Sequence, residues 1–257
     1  MIGSIAGDII GSIYEFENIK TTRFPLFQDS CFFTDDTVLS VALAESILTG
    51  ENYENLMRDY YLIYPNAGYG GKFRKWATGE IQGAYNSWGN GAAMRISPVG
   101  WAYDDLDTVL KKAEEFTVIT HDHPEGIKGA KAVASAIWLA RKGHSKSYTK
   151  MFVSIQFGYD LSRTCNDIRP EYTFNESCQG TVPEAITAFL EGSDFESCVR
   201  LAVSLGGDTD TLACITGSIA EAFYGIPTHI ADKAMEFLDD ELKAVTVAFM
   251  NKYGEPK

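Results

Sequence analysis

Apolar positions along this chain recur at intervals of three and four residues, and no stretch of useful length alternates apolar with polar. That periodicity predicts helices nearly throughout. Residues 2–14 form the first predicted helix, with Gly3, Gly7 and Gly11 four apart. This spacing puts the three glycines on one face, where a second helix can approach closely. Further helices are predicted over 35–48, closed by the glycine signal of Thr49-Gly50, and over 52–64, closed by Pro65. Others cover 105–118, with a solvated Lys/Glu face, then 126–141, 148–158, a helix opened by Pro183 and running to Leu190, and 195–205. The apolar segment 212–223 and a tail over 227–257, read as one or two amphipathic helices, complete the series. Residues 18–33, 68–71 and 159–180 lack a regular period, and the last of these is expected to be a loop above a pocket. The chain has no fixed repeat. The expectation is one all-α domain over residues 1–257, with helices in contact through small residues.

Two of the predicted helix starts carry more than capping requires. Gly206-Gly207-Asp208-Thr209-Asp210-Thr211 precedes the 212–223 segment, and Thr34-Asp35-Asp36-Thr37 precedes the 35–48 helix. An acid or a threonine at a helix start is explained by capping and by the helix dipole. Two acids flanking a threonine behind a glycine pair exceed that need. If the two stretches meet in space, their carboxylates repel, and the cluster requires a cation or protons. Carboxylates with hydroxyls are oxygen-only donors, which suit magnesium, manganese or calcium better than zinc.

A third stretch, Trp88-Gly89-Asn90-Gly91-Ala92-Ala93-Met94-Arg95, combines small residues with aromatic and basic ones. Its backbone amides can receive phosphate oxygens, and Trp88 or Tyr85 can stack on a base or serve as a core anchor. Arg95 suits a pyrophosphate, the acids of the metal cluster or an internal ion pair. Thr120-His121-Asp122-His123 invites a zinc reading, but no cysteine or third histidine stands near it, and helix capping is the plainer role. Asp8, on an otherwise apolar helix, needs a hydrogen-bond partner.

Taken in order, Gly7-Asp8-x-x-Gly11-Ser12-x-Tyr14-Glu15, Thr34-Asp35-Asp36, Gly89-Asn90-Gly91-Ala92-Ala93-Met94-Arg95 and Gly207-Asp208-Thr209-Asp210-Thr211 resemble the ADP-ribosylglycohydrolase family. The resemblance spans about residues 1–227, and the ordered set is specific where no single motif is. It implies an all-α fold with a binuclear magnesium or manganese centre, two Mg2+ or Mn2+ ions held by Thr34, Asp35, Asp36, Asp208, Asp210 and Thr211. It implies Glu15 as the catalytic carboxylate, and Ser87, Trp88, Gly89, Asn90, Gly91 and His121 as substrate contacts. The implied reaction releases ADP-ribose from an N- or O-glycosidic bond to a modified protein or small molecule, or to an ADP-ribosylated nucleobase. The competing readings are a non-catalytic ADP-ribose-binding or structural protein that retains the fold, and an unrelated two-metal phosphoesterase. The latter would normally recruit histidines, and the chain has four.

Charge narrows the partners further. The 257 residues carry 35 acidic against 22 basic side chains, a net charge of −13. That surface repels a phosphate backbone, so broad nucleic-acid binding is not expected, although a nucleotide can still enter a cation-lined pocket. No apolar run reaches the eighteen residues of a membrane span, and Asp8 interrupts what would be the core of a leader, so the N-terminus reads as mature protein. Five scattered cysteines with no C-x-x-C pair read as reduced thiols in a cytoplasmic protein.

Overall fold

The computed structural model describes residues 1–254, so the last three residues of the predicted tail lie outside the described residues. Helices follow one another in the order α1 (Ile2–Gly11), α2 (Asp35–Thr49), α3 (Tyr53–Ile63), α4 (Gly71–Ala77), α5 (Gly91–Met94), α6 (Ser97–Ala102), α7 (Leu106–Thr117) and α8 (Pro124–Arg141). They continue as α9 (Lys146–Phe157), α10 (Cys165–Ile168), α11 (Cys178–Glu191), α12 (Phe195–Leu205), α13 (Thr209–Tyr224), α14 (Thr228–Glu236) and α15 (Asp240–Tyr253). The expected all-α class holds: among the described residues the sole β-type pairing is an isolated antiparallel bridge between Gly89 and Ser177.

The core is built around α13, which is buried on every side from Thr209 to Glu221 and packs against α1, α8, α11 and α12. A helix without a polar face has to sit inside others. Its closest neighbour is α1, and the reason lies in the glycine face read from the sequence. A Cβ built at Gly7 would stand 2.0 Å from the carbonyl oxygen of Ala213, and one at Gly3 2.4 Å from that of Gly217. Only glycine lets the two backbones meet at this distance. The same contact brings Asp8 on α1 close to the start of α13.

Helix starts follow local chemistry. Thr34, Asn52, Asp105, Ser145, Ser177, Asp194 and Asp239 each cap a helix through a side-chain oxygen that accepts a backbone N–H of the first turn. Two expectations need correction. Pro183 does not open a helix; α11 begins five residues earlier behind the Ser177 cap, and Pro183 lies inside it. The proline offers no N–H to the carbonyl of Gln179 four residues back, and Gln179 is an exposed residue. The 2–14 helix is regular only to Gly11 and tightens into a 3₁₀ turn over Ser12–Tyr14, which sets the approach of Glu15. The irregular region 159–180 holds the short α10 and the first turn of α11.

Candidate active site

The two acid-rich helix starts meet. Asp208 stands at the N-cap position of α13 without a side-chain capping bond, Asp210 lies in its first turn, and Asp35 and Asp36 open α2. The turn before α13 is held in place: Gly206 and Gly207 have φ of 75° and 74°, a left-handed pair that favours glycine. Asn18 clamps this turn, with Oδ1 accepting the Gly207 N–H at 2.5 Å and Nδ2 donating to its carbonyl at 3.2 Å, while Lys20 Nζ donates to the Leu205 carbonyl.

Asp8 fixes the other half. Its carboxylate accepts the Thr34 N–H at 2.9 Å, the Thr34 hydroxyl at 2.7 Å, the Thr37 N–H at 3.1 Å and the Thr37 hydroxyl at 2.5 Å. The partner that a buried acid requires is thus the first turn of α2. Because Thr34 gives its proton to Asp8 and one lone pair to the Asp36 N–H, one oxygen lone pair remains for another acceptor role. Asp36 lies beside it, with the Thr34 and Thr211 hydroxyls each 3.4 Å from Oδ2. Asp36 Oδ1 is buried and has no hydrogen-bond partner. On the α13 side Asn90 Nδ2 donates to Asp208 Oδ2 at 2.7 Å and to the Thr181 hydroxyl at 3.1 Å, tying the 88–91 turn to the acids.

Two groups of carboxylate oxygens lie within 4.8 Å of one another, Asp8 with Asp36 and Asp210, and Glu15 with Asp208 and Asp210. Burial is the first cause that pushes these acids upward: Asp8 to about 6, against the lowering effect of its Thr34 and Thr37 hydrogen bonds, and, with mutual repulsion added, Glu15 to about 7, Asp35 to about 8, and Asp36 and Asp210 well above the carboxylate range. A cluster of this kind needs either protons or a positive ion. An oxygen-only donor set, an orphaned buried carboxylate oxygen and a shared residue, Asp210, fit a hard divalent cation, and two adjacent ones.

Apart from Asp8, which stands behind them, these acids line one cavity of about 450 Å³. Glu15, Thr34, Asp35, Asp36, Asp208, Asp210 and Thr211 form one part of its wall, and Ser87, Trp88, Gly89, Asn90, Gly91 and His121 another. Asp35 belongs to the wall but to neither tight acid group. Its N–H donates to the Ala67 carbonyl at 2.6 Å, which ties the 66–71 loop to the acids. The loops on the opposite side are joined across the Gly89–Ser177 bridge, where Asn90 N–H donates to Glu176 O at 2.8 Å and Cys178 N–H to Trp88 O at 3.0 Å. Four exposed aromatic residues, Phe16, Phe32, Trp88 and Phe174, line the same cavity.

Other sequence readings resolve here. Arg95 makes no ion pair with the acids; it is buried beside Thr120 and His121, with Nη2 donating to the Thr120 hydroxyl at 2.7 Å. His123 caps α8, its Nδ1 accepting the Glu125 N–H at 3.1 Å, which accounts for the second histidine without zinc. Cys178 is buried, its thiol pushed up to about 12 by that burial, and it donates to the Gly89 carbonyl. Three features escaped the sequence: the four bonds of Asp8, the Asn18 clamp and the Phe16–Phe32–Phe174 rim. Only Asp8 left a signal, as a lone acid on an apolar helix.

An all-α protein whose central buried helix delivers carboxylates to the wall of one cavity is the class this fold and site define. The ADP-ribosylglycohydrolase family model matches residues 1–256, and the chain belongs to that glycohydrolase family. Human ADP-ribosylhydrolase ARH3 is 27% identical over 308 aligned residues, covering 88% of this chain and 84% of the relative. An uncharacterized protein of Archaeoglobus fulgidus is 30% identical over 237, covering 81% and 78%. A solved structure described as an ADP-ribosylglycohydrolase-related protein complex superposes with a TM-score of 0.73 at 25% identity, over 98% of this chain and 96% of that one. The protein is an enzyme of this hydrolase family. None of its described helices is long and apolar enough to cross a membrane.

Proposed function

We propose that this enzyme is a metal-dependent hydrolase that cleaves the glycosidic bond between ADP-ribose and an N- or O-linked acceptor. The observation that carries the reading is the orphaned Asp36 Oδ1 amid carboxylates from two helix starts, inside the cavity of a chain that belongs to a glycohydrolase family. Thr34, Asp35, Asp36, Asp208, Asp210 and Thr211 are the residues proposed to hold two Mg2+ or Mn2+ ions, and Asp210 belongs to both carboxylate groups. Such ions, when bound, supply Lewis acidity and orient ribose hydroxyls and water.

The chain's own residues contribute the rest. Asp8 orients Thr34 and the first turn of α2, so the donor oxygens keep their places without a ligand. Glu15, half-buried and close to Asp208, titrates near neutrality. It is therefore suited to hold a proton for the departing acceptor atom or to take one from the attacking water. In the balanced reaction the anomeric C–N or C–O bond breaks, water oxygen bonds to that carbon, and one water proton ends on the acceptor. The amides of the 88–91 turn are proposed to face the pyrophosphate, and Trp88 the adenosine.

A non-catalytic ADP-ribose-binding role is the less favoured reading, because the carboxylates needed for chemistry are all present in one cavity. The test is product analysis on arginine-, serine- and nucleobase-linked ADP-ribose, with Mn2+ and with EDTA. Free ADP-ribose formed only with metal supports the proposal. AMP with ribose 5-phosphate would point to phosphodiester cleavage, and tight binding with no product to the binding role. The cytoplasm is the proposed location, supported by five cysteines that are all free and buried.

A further inference from the structure

The proposed chemistry leaves Arg95 unused, yet its environment is unusual. Its guanidinium is 1% exposed, has no ion pair among the described residues, and borders the cavity. Nη1 is buried with no hydrogen-bond partner. A buried cation without a counter-charge is costly, so the site is incomplete until a negative group arrives. Nη2 donates to the Thr120 hydroxyl at 2.7 Å and lies 3.5 Å from His121 Nδ1, while the Thr120 oxygen stands 2.8 Å from that same Nδ1.

Proton accounting then constrains the ring. An arginine only donates, and a threonine hydroxyl has one proton and two lone pairs. Thr120 accepts from Arg95 Nη2, and a second side-chain hydrogen-bond neighbour of its hydroxyl is His121 Nδ1, 2.8 Å away. The Thr120 proton is thereby left for His121 Nδ1. A proton on Nδ1 instead would point at a guanidinium N–H. Burial and the Arg95 charge hold His121 far below its ordinary pKa, so the ring is neutral with one N–H. That N–H is on Nε2, which has no partner among the described residues and faces the 88–91 turn. A Cβ built at Gly91 would lie 3.3 Å from Nε2, and one at Gly89 3.6 Å. Gly126 at the start of α8 packs against the Cβ and carbonyl of His121, and the charge that acts on the ring is that of Arg95.

We propose that Arg95 and Thr120 are positioning residues that fix His121 as the Nε2–H tautomer, a donor presented to an anionic oxygen of the bound nucleotide. The identity of that ligand as ADP-ribose rests on the functional reading above; the tautomer does not. The unpaired Arg95 charge supplies the positive field that favours an anion at this place, and the glycines leave room for its oxygen to reach Nε2.

The experiment is a ring-nitrogen correlation spectrum of 15N-histidine-labelled protein without ligand, with His121→Asn to assign the signal among the four histidines. The expected result is a neutral Nε2–H ring that does not titrate between about pH 5.5 and 8.5, unlike an ordinary histidine. An Nδ1–H tautomer, or protonation near the ordinary pKa, would overturn the inference. Calorimetry with ADP-ribose then compares Thr120→Val with Thr120→Ser. The valine variant should lose roughly tenfold in affinity, about one hydrogen bond, and serine should restore it. Equal binding by wild type and Thr120→Val would also overturn the inference. Should Thr120→Val fail to fold, the wild-type tautomer decides. If wild type itself does not bind ADP-ribose, the functional reading fails, while the tautomer result still stands for or against the relay.

Discussion

Replacing Gly7 with alanine perturbs the fold and the site through one contact. The added Cβ would meet the Ala213 carbonyl oxygen at 2.0 Å, its carbon at 2.4 Å and the Cys214 nitrogen at 2.8 Å, all backbone atoms that cannot rotate aside. Ordinary contact begins near 3.4 Å, so α1 and α13 must part locally by about 1.4 Å. Inserting one methyl into a packed core costs about 1–3 kcal/mol, and rigid backbone on both sides places this case near the upper figure. At roughly 2–4 °C per kcal/mol for a chain approaching this size, the melting temperature should fall by about 6–12 °C. The same movement separates Asp8, the next residue on α1, from the acids that begin α13. A displacement of about 1 Å can cost on the order of a hundredfold in rate, so turnover should fall by that order while the protein is still folded. Calorimetric melting and ADP-ribose release at a temperature well below the transition test the two parts. A melting temperature within about 2 °C of wild type together with unchanged release would refute the helix-contact reasoning.

Removing the metal should make stability depend on pH. Asp8 and Asp35 have folded-state pKa values near 6 and 8, above their unfolded values, so the metal-free folded state binds more protons across that window. The stabilisation is present in full below the unfolded pKa and is lost as pH rises through about 6 to 8. The melting temperature in EDTA should therefore fall between pH 5 and pH 8, and Mn2+ should narrow the difference; a flat profile in EDTA would contradict the repulsive cluster. Glu15→Gln should lower turnover by about 10²–10⁴-fold while ADP-ribose affinity, measured by calorimetry, changes little; near-normal turnover would remove Glu15 from the chemistry. Asn90→Ala strips a donor from buried Asp208 and from Thr181 and should cost about 1–3 kcal/mol in denaturant unfolding, and a negligible change would argue against the Asn90 tie.

What the sequence disclosed was what local chemistry and periodicity control. Periodicity with the Gly50 and Pro65 stops located α2 and α3 to within a residue or two, and periodicity alone located α7 and α12. The acid pairs at 34–37 and 206–211 were conspicuous since their composition exceeds the needs of a helix start. Long-range partners were not legible. Asp8 announced that it needed one, but only folding shows it bonded to Thr34 and Thr37. Arg95 had three plausible partners in the sequence, and the structure gives it a fourth environment, Thr120 and His121. Pro183 misled because a proline is favoured in a first turn and disfavoured further in, where it nevertheless stands in α11. The rim residues Phe16, Phe32 and Phe174 stand in irregular segments where no period marks an exposed aromatic as functional.

The central claim is that the acids at the two helix starts hold ions that hydrolysis requires. The direct measurement is ADP-ribose release titrated with Mn2+ in EDTA-stripped enzyme, for wild type and for Asp208→Ala/Asp210→Ala, with folding of both checked by circular dichroism. The account predicts release that rises with Mn2+ in wild type and stays at background in the folded double variant. Release from stripped wild type without added metal, or undiminished release from the double variant, would contradict it.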